Sequence, residues 1–185
     1  MLLAIAAIVV VLGLVTALLR YNAIKTYTQY DVVSATETSG DNIADYSVFA
    51  GNVLKVTKDG ASYIDEKGVT KWDVSYAMKM PHAEVCGNYA IVADMNGKDV
   101  YVFNVDGEVS RQTLTYDISN VDIAEQGVYT LVLVGEDCNY INGYDKDSNT
   151  IYELKTTIDK SGYPMDIDID RKSTRLNSSH VALSR

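Results

Sequence analysis

Three residues near the end of the chain have the spacing of a calcium loop. Asp145, Asp147 and Asn149 form a D-x-D-x-N run, and such runs place carboxylate and amide oxygens around one hard cation. The loop also needs a glycine at position six and a glutamate at position twelve, where this chain has Thr150 and Thr156. We therefore favour a hairpin turn whose Asp and Asn side chains bond the local backbone, with a metal site as the alternative.

A second run of aspartates, Asp166, Asp168 and Asp170, alternates with apolar residues. Arg171 stands where a calcium loop needs glycine. Period two places the three aspartates on one face of a strand and the apolar residues on the other. We predict a strand whose polar face lines a central channel, and Asp166 and Asp168 are kept as alternative metal ligands.

His82 is the one histidine before the C-terminal segment 171–185, and no sequence motif gives it a Ser or Cys partner for a nucleophilic triad. The sequence thus identifies no catalytic residue and predicts no cofactor. Cys86 and Cys138 belong to no CxxC motif. They are either two thiols or, outside the membrane, one disulfide.

The elements that position these residues come from a repeat. Gly51, Gly87 and Gly127 open three successive units. Each glycine precedes an apolar run, a polar turn, an alternating run, a second turn and a last run, and a further short strand precedes the glycine. We interpret six positions as structural repeat residues, namely Gly51, Gly87, Gly127, Gly68, Gly107 and Trp72.

Four short strands at a spacing of about 40 residues are typical of propeller blades. A β-sandwich is the alternative, but the recurrence of glycine, tyrosine and turn positions favours blades. We predict an all-β fold, an incomplete β-propeller of about three four-stranded blades plus one strand, after an N-terminal transmembrane helix. The predicted segments are an anchor at 1–20, a juxtamembrane linker at 21–41, a partial propeller at 42–170 with units near 51–86, 87–126 and 127–170, and a tail at 171–185.

The segment DGASYIDEKGVTKWDV, residues 59–74, resembles the PQQ-like propeller repeat. The second unit keeps Asp106-Gly107 but has Arg111 in place of the tryptophan. With its anchor, the chain is similar to a family of bacterial single-pass membrane proteins that carry a PQQ-like or WD40-like propeller and form a domain of unknown function. This resemblance implies a fold and an envelope location, and it implies no catalytic residues.

The segment Leu2–Leu19 is a continuous apolar run without a charge. As a helix it would extend roughly 27 Å, close to the hydrocarbon thickness of about 30 Å. A cleaved signal peptide is the alternative, but its apolar region is normally about 7–15 residues and ends in a small-x-small site, which Thr16–Leu19 does not offer. We predict an uncleaved anchor that contacts the lipid bilayer of the cell membrane.

The charge of the chain restricts its location and its partners. Arg20 and Lys25 follow the apolar run and, taken alone, would place the body in the cytoplasm. The net charge is −9, and residues 1–170 carry −13, so the acidic body excludes nucleic acid as a partner. An acidic, β-rich body is more typical of an extracytoplasmic module, and we prefer that orientation.

The C-terminal segment 171–185, RKSTRLNSSHVALSR, is basic and contains no acid. It begins where a fourth blade should continue, and it resembles translated adapter or vector read-through. A basic tail that binds an acidic surface is the alternative. We therefore expect a C-terminally truncated propeller with a non-native tail.

The predicted function is a membrane-anchored, extracytoplasmic binding or scaffold module of the bacterial cell envelope. Its partner would be an envelope protein or a glycan. The alternative is a fragment of a quinoprotein-like oxidoreductase or of a glycan-active enzyme, with its site in blades that this sequence lacks.

Overall fold

The computed structural model describes residues 11, 13–17, 20, 44–157, 162–169 and 182–184. The chain divides into two compact units, Met1–Val33 and Ser34–Arg185. In the first unit, residues 13–17 are helical and the Thr16 hydroxyl donates to the Gly13 carbonyl over 2.9 Å. Within the described residues, no helix has both the length and the apolar character that crossing a membrane requires. Most of Leu2–Leu19 and all of the 21–41 linker lie outside the described residues.

The second unit contains three four-stranded antiparallel sheets, and in each sheet consecutive strands pair in chain order. The first sheet contains β1 (Asp45–Phe49), β2 (Asn52–Val56), β3 (Gly60–Ile64) and β4 (Thr70–Ser75). The second contains β5 (Pro81–Cys86), β6 (Tyr89–Asp94), β7 (Asp99–Asn104) and β8 (Gly107–Thr113). The third contains β9 (Asp117–Ile123), β10 (Tyr129–Val134), β11 (Asn139–Tyr144) and β12 (Thr150–Thr156). The predicted all-β, incomplete β-propeller fold class is confirmed.

The first strands of successive sheets lie beside one another, since β1 contacts β5 and β5 contacts β9. β13 (Tyr163–Asp166) pairs with β14 (Ala182–Ser184). Ile167, directly after β13, is buried against Val132 and Ile141 of the third sheet. Each sheet begins one strand before the repeat glycine, so the sheets are offset by one strand from the units at 51–86, 87–126 and 127–170.

The repeat glycines recur because turns need a left-handed backbone there. Gly51, Gly87 and Gly127 follow the first strand of each sheet with φ of 80°, 59° and 81°. Gly68 has φ of 79° and Gly107 has φ of 134°. Glycine has no Cβ to clash in these regions, so it is the residue that such turns favour.

The core lies in two layers between the sheets. The first seam, between sheets one and two, brings together Leu54, Val56, Ala90 and Val92. The second seam, between sheets two and three, brings together Ile91, Ala93, Leu131 and Leu133. Alternate residues of β6 thus face opposite neighbours, which is the pattern of a strand in a sheet covered on both faces.

Trp72 lies in the first seam. Its indole stacks on Tyr63 and on Phe103, with ring centroids 5.6 and 5.1 Å away, and its Nε1–H donates to the Val105 carbonyl over 3.2 Å. Because Trp72 is on β4 and Phe103 is on β7, the Phe103 contact joins the first and second sheets, whereas the Tyr63 contact lies within the first.

Candidate functional site

The calcium-like run forms a closed turn between β11 and β12. Asp145 Oδ1 accepts the backbone N–H groups of Asp147 and Asn149 over 3.0 and 2.8 Å, and its Oδ2 accepts the Asn149 side-chain amide over 2.9 Å. Asp147 binds Lys146 Nζ over 2.7 Å. The hydrogen bond from the Asn149 side chain is the main cause that lowers the pKa of Asp145. The Asp145 carboxylate therefore stabilises the turn between β11 and β12.

The turn after β3 has the same construction. Asp65 Oδ1 accepts the backbone N–H groups of Lys67 and Val69, each over 2.9 Å, and the Val69 bond is the main cause that lowers the pKa of Asp65. Ser148, with φ of 65°, takes the position that Gly68 takes here. The third unit therefore keeps the turn although it lacks the glycine.

The other predicted candidates belong to different parts of the second unit. Asp168 is exposed, the backbone of Asp166 lies in β13, and Asp170 lies outside the described residues. His82 on β5 pairs with Glu84 over 3.0 Å at the surface. In the described part of the chain, no group of three or more His, Cys, Asp or Glu side chains is placed to hold a metal ion. Cys86 and Cys138 are not joined by a disulfide.

A tyrosine recurs where the chain passes from one sheet to the next. Tyr76 directly follows β4 and packs on Tyr101 of β7, with ring centroids 5.2 Å apart. Tyr116 lies in the next linker and stacks on Tyr140 of β11, with centroids 4.8 Å apart. Each seam therefore has its own pair of packed tyrosine rings, at the same end of the sheets.

The two linkers differ in length. Residues 76–80 join β4 to β5, whereas only residues 114–116 join β8 to β9. The longer linker brings Met78 into the first seam, where Met78 and Tyr76 are buried. The shorter linker brings Leu114 and Tyr116 against the second seam, and an opening lies beside Tyr116 and Tyr140.

We call this opening the seam cleft. It consists of a larger cavity of about 500 Å³ and a smaller one of about 290 Å³, which share Thr115, Tyr116 and Tyr140 as lining residues. Gly135 lies at one side of the cleft. A Cβ at this position would lie 2.7 Å from the Cys138 carbonyl oxygen and 3.4 Å from an atom of each tyrosine ring. Glycine at 135 thus allows the hairpin to approach the stacked pair.

The two cavities differ in charge. Lys98 and Lys155 line the larger one together with three acidic residues, Asp117, Glu136 and Asp137. Lys155 Nζ lies 5.9 Å from the centroid of the Tyr140 ring, within the range of a cation–π contact. Hydrogen bonds with Cys138 and then with Tyr116 raise the pKa of Tyr140. The larger cavity is therefore a polar opening of mixed charge.

The smaller cavity is lined by Asn142, Tyr144 and Glu153 in addition to the shared residues. Asn142 is 7% exposed, and its Nδ2 donates to the Tyr144 hydroxyl over 3.1 Å. Its Oδ1 has no hydrogen-bond partner. Burial is the main cause that raises the pKa of Tyr144. The cavity thus combines aromatic surface, one carboxylate and one unsatisfied buried carbonyl oxygen.

Sequence reasoning did not select the residues of this cleft. One signal was present, because Ser75-Tyr76 and Thr115-Tyr116 both end the last run of a repeat unit. The difference in linker length was also present, but strand ends are too uncertain in a sequence to reveal so small a difference. Only the paired strands show which linker is short.

The sequence of the chain also has recognisable relatives. A family of unknown function, DUF5711, matches residues 23–185. The chain belongs to this family. DUF5711 membership agrees with the expectation of a family without an assigned function, whereas the PQQ-like or WD40-like identity and the membrane anchor stay predictions. The match includes residues 171–185, whose interpretation as a non-native tail also stays a prediction.

No curated protein matches this DUF5711 chain. The solved structures that are similar in part include the following three. A protein of unknown function from Bacteroides caccae has 14% identity and a TM-score of 0.43, with 71% of this chain and 51% of that protein covered. Hsv2 of Kluyveromyces lactis has 12% identity and a TM-score of 0.38, with 62% and 37% covered. A eukaryotic initiation factor has 8% identity and a TM-score of 0.33, with 74% and 48% covered. The chain therefore spans about half or less of each of these structures.

Proposed function

We propose that this protein is a membrane-anchored, extracytoplasmic binding module of the bacterial envelope and that the seam cleft is its binding site. The observation that carries the binding role is the open cleft beside Tyr116 and Tyr140 in the second seam. Concave sites with aromatic walls and a few convergent polar groups are where proteins bind ligands.

The proposed location is supported by the sequence. Leu2–Leu19 has the length and apolarity of an anchor, and the acidic body has the charge of an extracytoplasmic module. The body would then present the seam cleft to envelope proteins or glycans. The sheets supply a rigid frame for the cleft because each strand is paired within its own sheet.

The binding role is tested by photo-crosslinking in living cells. A photoreactive residue replaces Thr115, which is exposed and lines both cavities. The matched control replaces Ala77, which is exposed in the linker between the first and second sheets. We expect a crosslinked product of defined mass from position 115 and none from position 77. Equal products, or none from position 115, would contradict the binding role.

The location is tested separately with a membrane-impermeant maleimide. A cysteine replaces Lys67, which is exposed in the turn after β3, in a variant that lacks Cys86 and Cys138. We expect labelling in spheroplasts with intact membranes, while an endogenous cytoplasmic thiol protein in the same cells stays unlabelled. Labelling of both proteins only after lysis would place the body in the cytoplasm and overturn the proposed location.

A further inference from the structure

The smaller cavity of the seam cleft has an unusual balance of groups. Tyr116, Tyr140 and Tyr144 supply ring surface and hydroxyl oxygens, and Glu153 supplies a carboxylate. Among the described residues that line this cavity there is no Lys, Arg or His. Its one formally charged lining residue is therefore negative, in contrast to the mixed charge of the larger cavity.

The buried amide of Asn142 is incompletely satisfied. Its Nδ2 donates to the Tyr144 hydroxyl, and its Oδ1 has no partner. A buried acceptor without a donor costs stability, and because this oxygen is closed to solvent, a ligand N–H group would relieve that cost only after the Asn142 side chain rotates. Rotation of Asn142 toward the cavity would thus add a hydrogen-bond acceptor to the negative charge of Glu153.

The chain already places an ammonium against this wall. Lys155 Nζ approaches the Tyr140 ring to 5.9 Å from its centroid, and Lys155 lines the larger cavity next door. Tyrosine rings attract ammonium groups through their negative faces, within about 6 Å of the centroid. The aromatic wall that the two cavities share therefore accepts a cation in the structure itself.

We propose that the smaller cavity binds an organic ammonium group, either that of a small alkylamine or that of a lysine side chain in a peptide. Three N–H donors of such a group would meet the Glu153 carboxylate and neutral oxygens such as the Asn142 carbonyl, while its alkyl part would lie against the tyrosine rings. The net charge of −9 would favour the approach of cations. This inference deepens the proposed binding role of the seam cleft and rests on it.

A ligand of opposite charge fits poorly. A carboxylate or phosphate would face Glu153 with no basic side chain among the described lining residues to neutralise it. The larger cavity, where Lys98 and Lys155 lie near three acids, lacks this selectivity. The ammonium preference is therefore specific to the smaller cavity.

The test compares two probes of equal length with the purified full chain. n-Butylamine is cationic at pH 7 and n-butanol is neutral, and binding is followed by saturable shifts of tyrosine ring signals in NMR spectra. We expect n-butylamine to bind at least tenfold more tightly than n-butanol. Two tripeptides, one with a central lysine and one with a central acetyl-lysine, form the second arm and distinguish a peptide source from a free amine.

Two glutamate variants localise the effect. Glu153→Gln removes the carboxylate of the cavity, and Glu66→Gln makes the same change at an exposed turn in the first sheet. Both positions are exposed, so both variants should fold with unchanged circular dichroism. We expect Glu153→Gln to weaken the amine or the lysine peptide about tenfold and Glu66→Gln to leave both unchanged.

The outcomes separate this inference from the proposed function. Preference for the lysine peptide alone supports a peptide ligand, and preference for both cations supports the ammonium group in general. Equal binding of cationic and neutral probes, absence of binding by both cations, or unchanged binding in Glu153→Gln overturns the inference. If the crosslink at position 115 still forms, the binding role stands and only the ligand class is wrong.

Discussion

The rings of Trp72 and Phe103 stack across the first seam with centroids 5.1 Å and planes 12° apart. Trp72 belongs to the last strand of the first sheet, and Phe103 belongs to the third strand of the second. Tyr63, a neighbour of Trp72 within the first sheet, also stacks on the indole, and the indole N–H donates to the Val105 carbonyl. One side chain therefore joins two sheets through one ring contact and one hydrogen bond.

Removal of this side chain should weaken the whole seam. We expect Trp72→Ala to lower the free energy of unfolding by about 3 kcal/mol, because a large, partly buried aromatic is lost. Trp72→Phe keeps the stacking and loses the hydrogen bond, so its cost should be about 1 kcal/mol. Urea unfolding followed by circular dichroism measures both, since Trp72 is the only tryptophan. Equal costs for the two variants would show that the stacking contributes little.

The second seam depends on the hydroxyl of Tyr129. Gln112 Nε2 donates to this hydroxyl over 2.6 Å, and the hydroxyl donates to Ser148 Oγ over 2.9 Å. Tyr129→Phe removes both bonds, and we expect the free energy of unfolding at pH 7 to fall by about 1–2 kcal/mol. Glu66→Gln, at an exposed residue of the turn after β3, is the control and should change it by less than about 0.5 kcal/mol.

The same tyrosine should make the protein sensitive to alkali. Burial is the main cause that raises the pKa of Tyr129 from 10.0 to about 12. Because the pKa of Tyr129 is raised in the folded state, the stability that its protonated hydroxyl provides is full below pH 10.0 and is lost as the pH rises toward about 12. We expect the urea midpoint to fall over this interval, and to fall less steeply in Tyr129→Phe. Identical slopes for the two proteins would show that another group causes the loss.

The first hairpin offers a test of turn geometry. Ala50 has φ of 45° and Gly51 has φ of 80°, and a Cβ at Gly51 would meet nothing within 4 Å. Gly51→Ala should therefore lower the free energy of unfolding by about 1–2 kcal/mol through backbone strain alone. Ala50→Asn creates an Asn-Gly turn and should raise it by about 0.5–1 kcal/mol. Thermal unfolding measures both changes, and a loss in Ala50→Asn would contradict the assigned turn.

The Asp145 turn should be independent of calcium. Because the Asp145 oxygens accept bonds from within the turn, we expect neither calcium nor a chelator to change the melting temperature. An increase that saturates with calcium would instead establish a metal site at this turn.

The same turn should respond to acid. The pKa of Asp145 is lowered below its ordinary value of 3.8 in the folded state. The stability that its carboxylate provides is therefore full above pH 3.8 and is lost as the pH falls further. Asp145→Asn should unfold with a flatter acid dependence than the natural chain. Parallel acid profiles for the two proteins would contradict this role of the carboxylate.

Much of the fold could be predicted from local patterns. The alternation of apolar and polar residues along strands and the positions of turn glycines are local features of the sequence. They were sufficient to predict an all-β chain of four-stranded blades. The Asp145 run was interpreted as a turn because residues such as Thr150 fail the calcium pattern. The candidate site could not be predicted, because Tyr116 and Tyr140 are distant in the chain and meet only when the second and third sheets pack.

The sequence by itself determined where the strands and turns lie, because glycine spacing and side-chain alternation act over short stretches of chain. The tertiary structure decided which neighbour each face meets. Phe49 pairs with Asn52 across the first hairpin of the first sheet, so Gly51 is the second residue of that turn. Cys86 pairs with Tyr89 across the first hairpin of the second sheet, so Gly87 is the first residue of its turn. A shift of one residue exchanges the two faces of a strand. Leu54 and Ala90 each lie three residues after a repeat glycine. Because of the one-residue shift they face each other's sheets, and both pack in the first seam. The seam cleft likewise depends on the tertiary structure, because its lining residues come from two packed sheets.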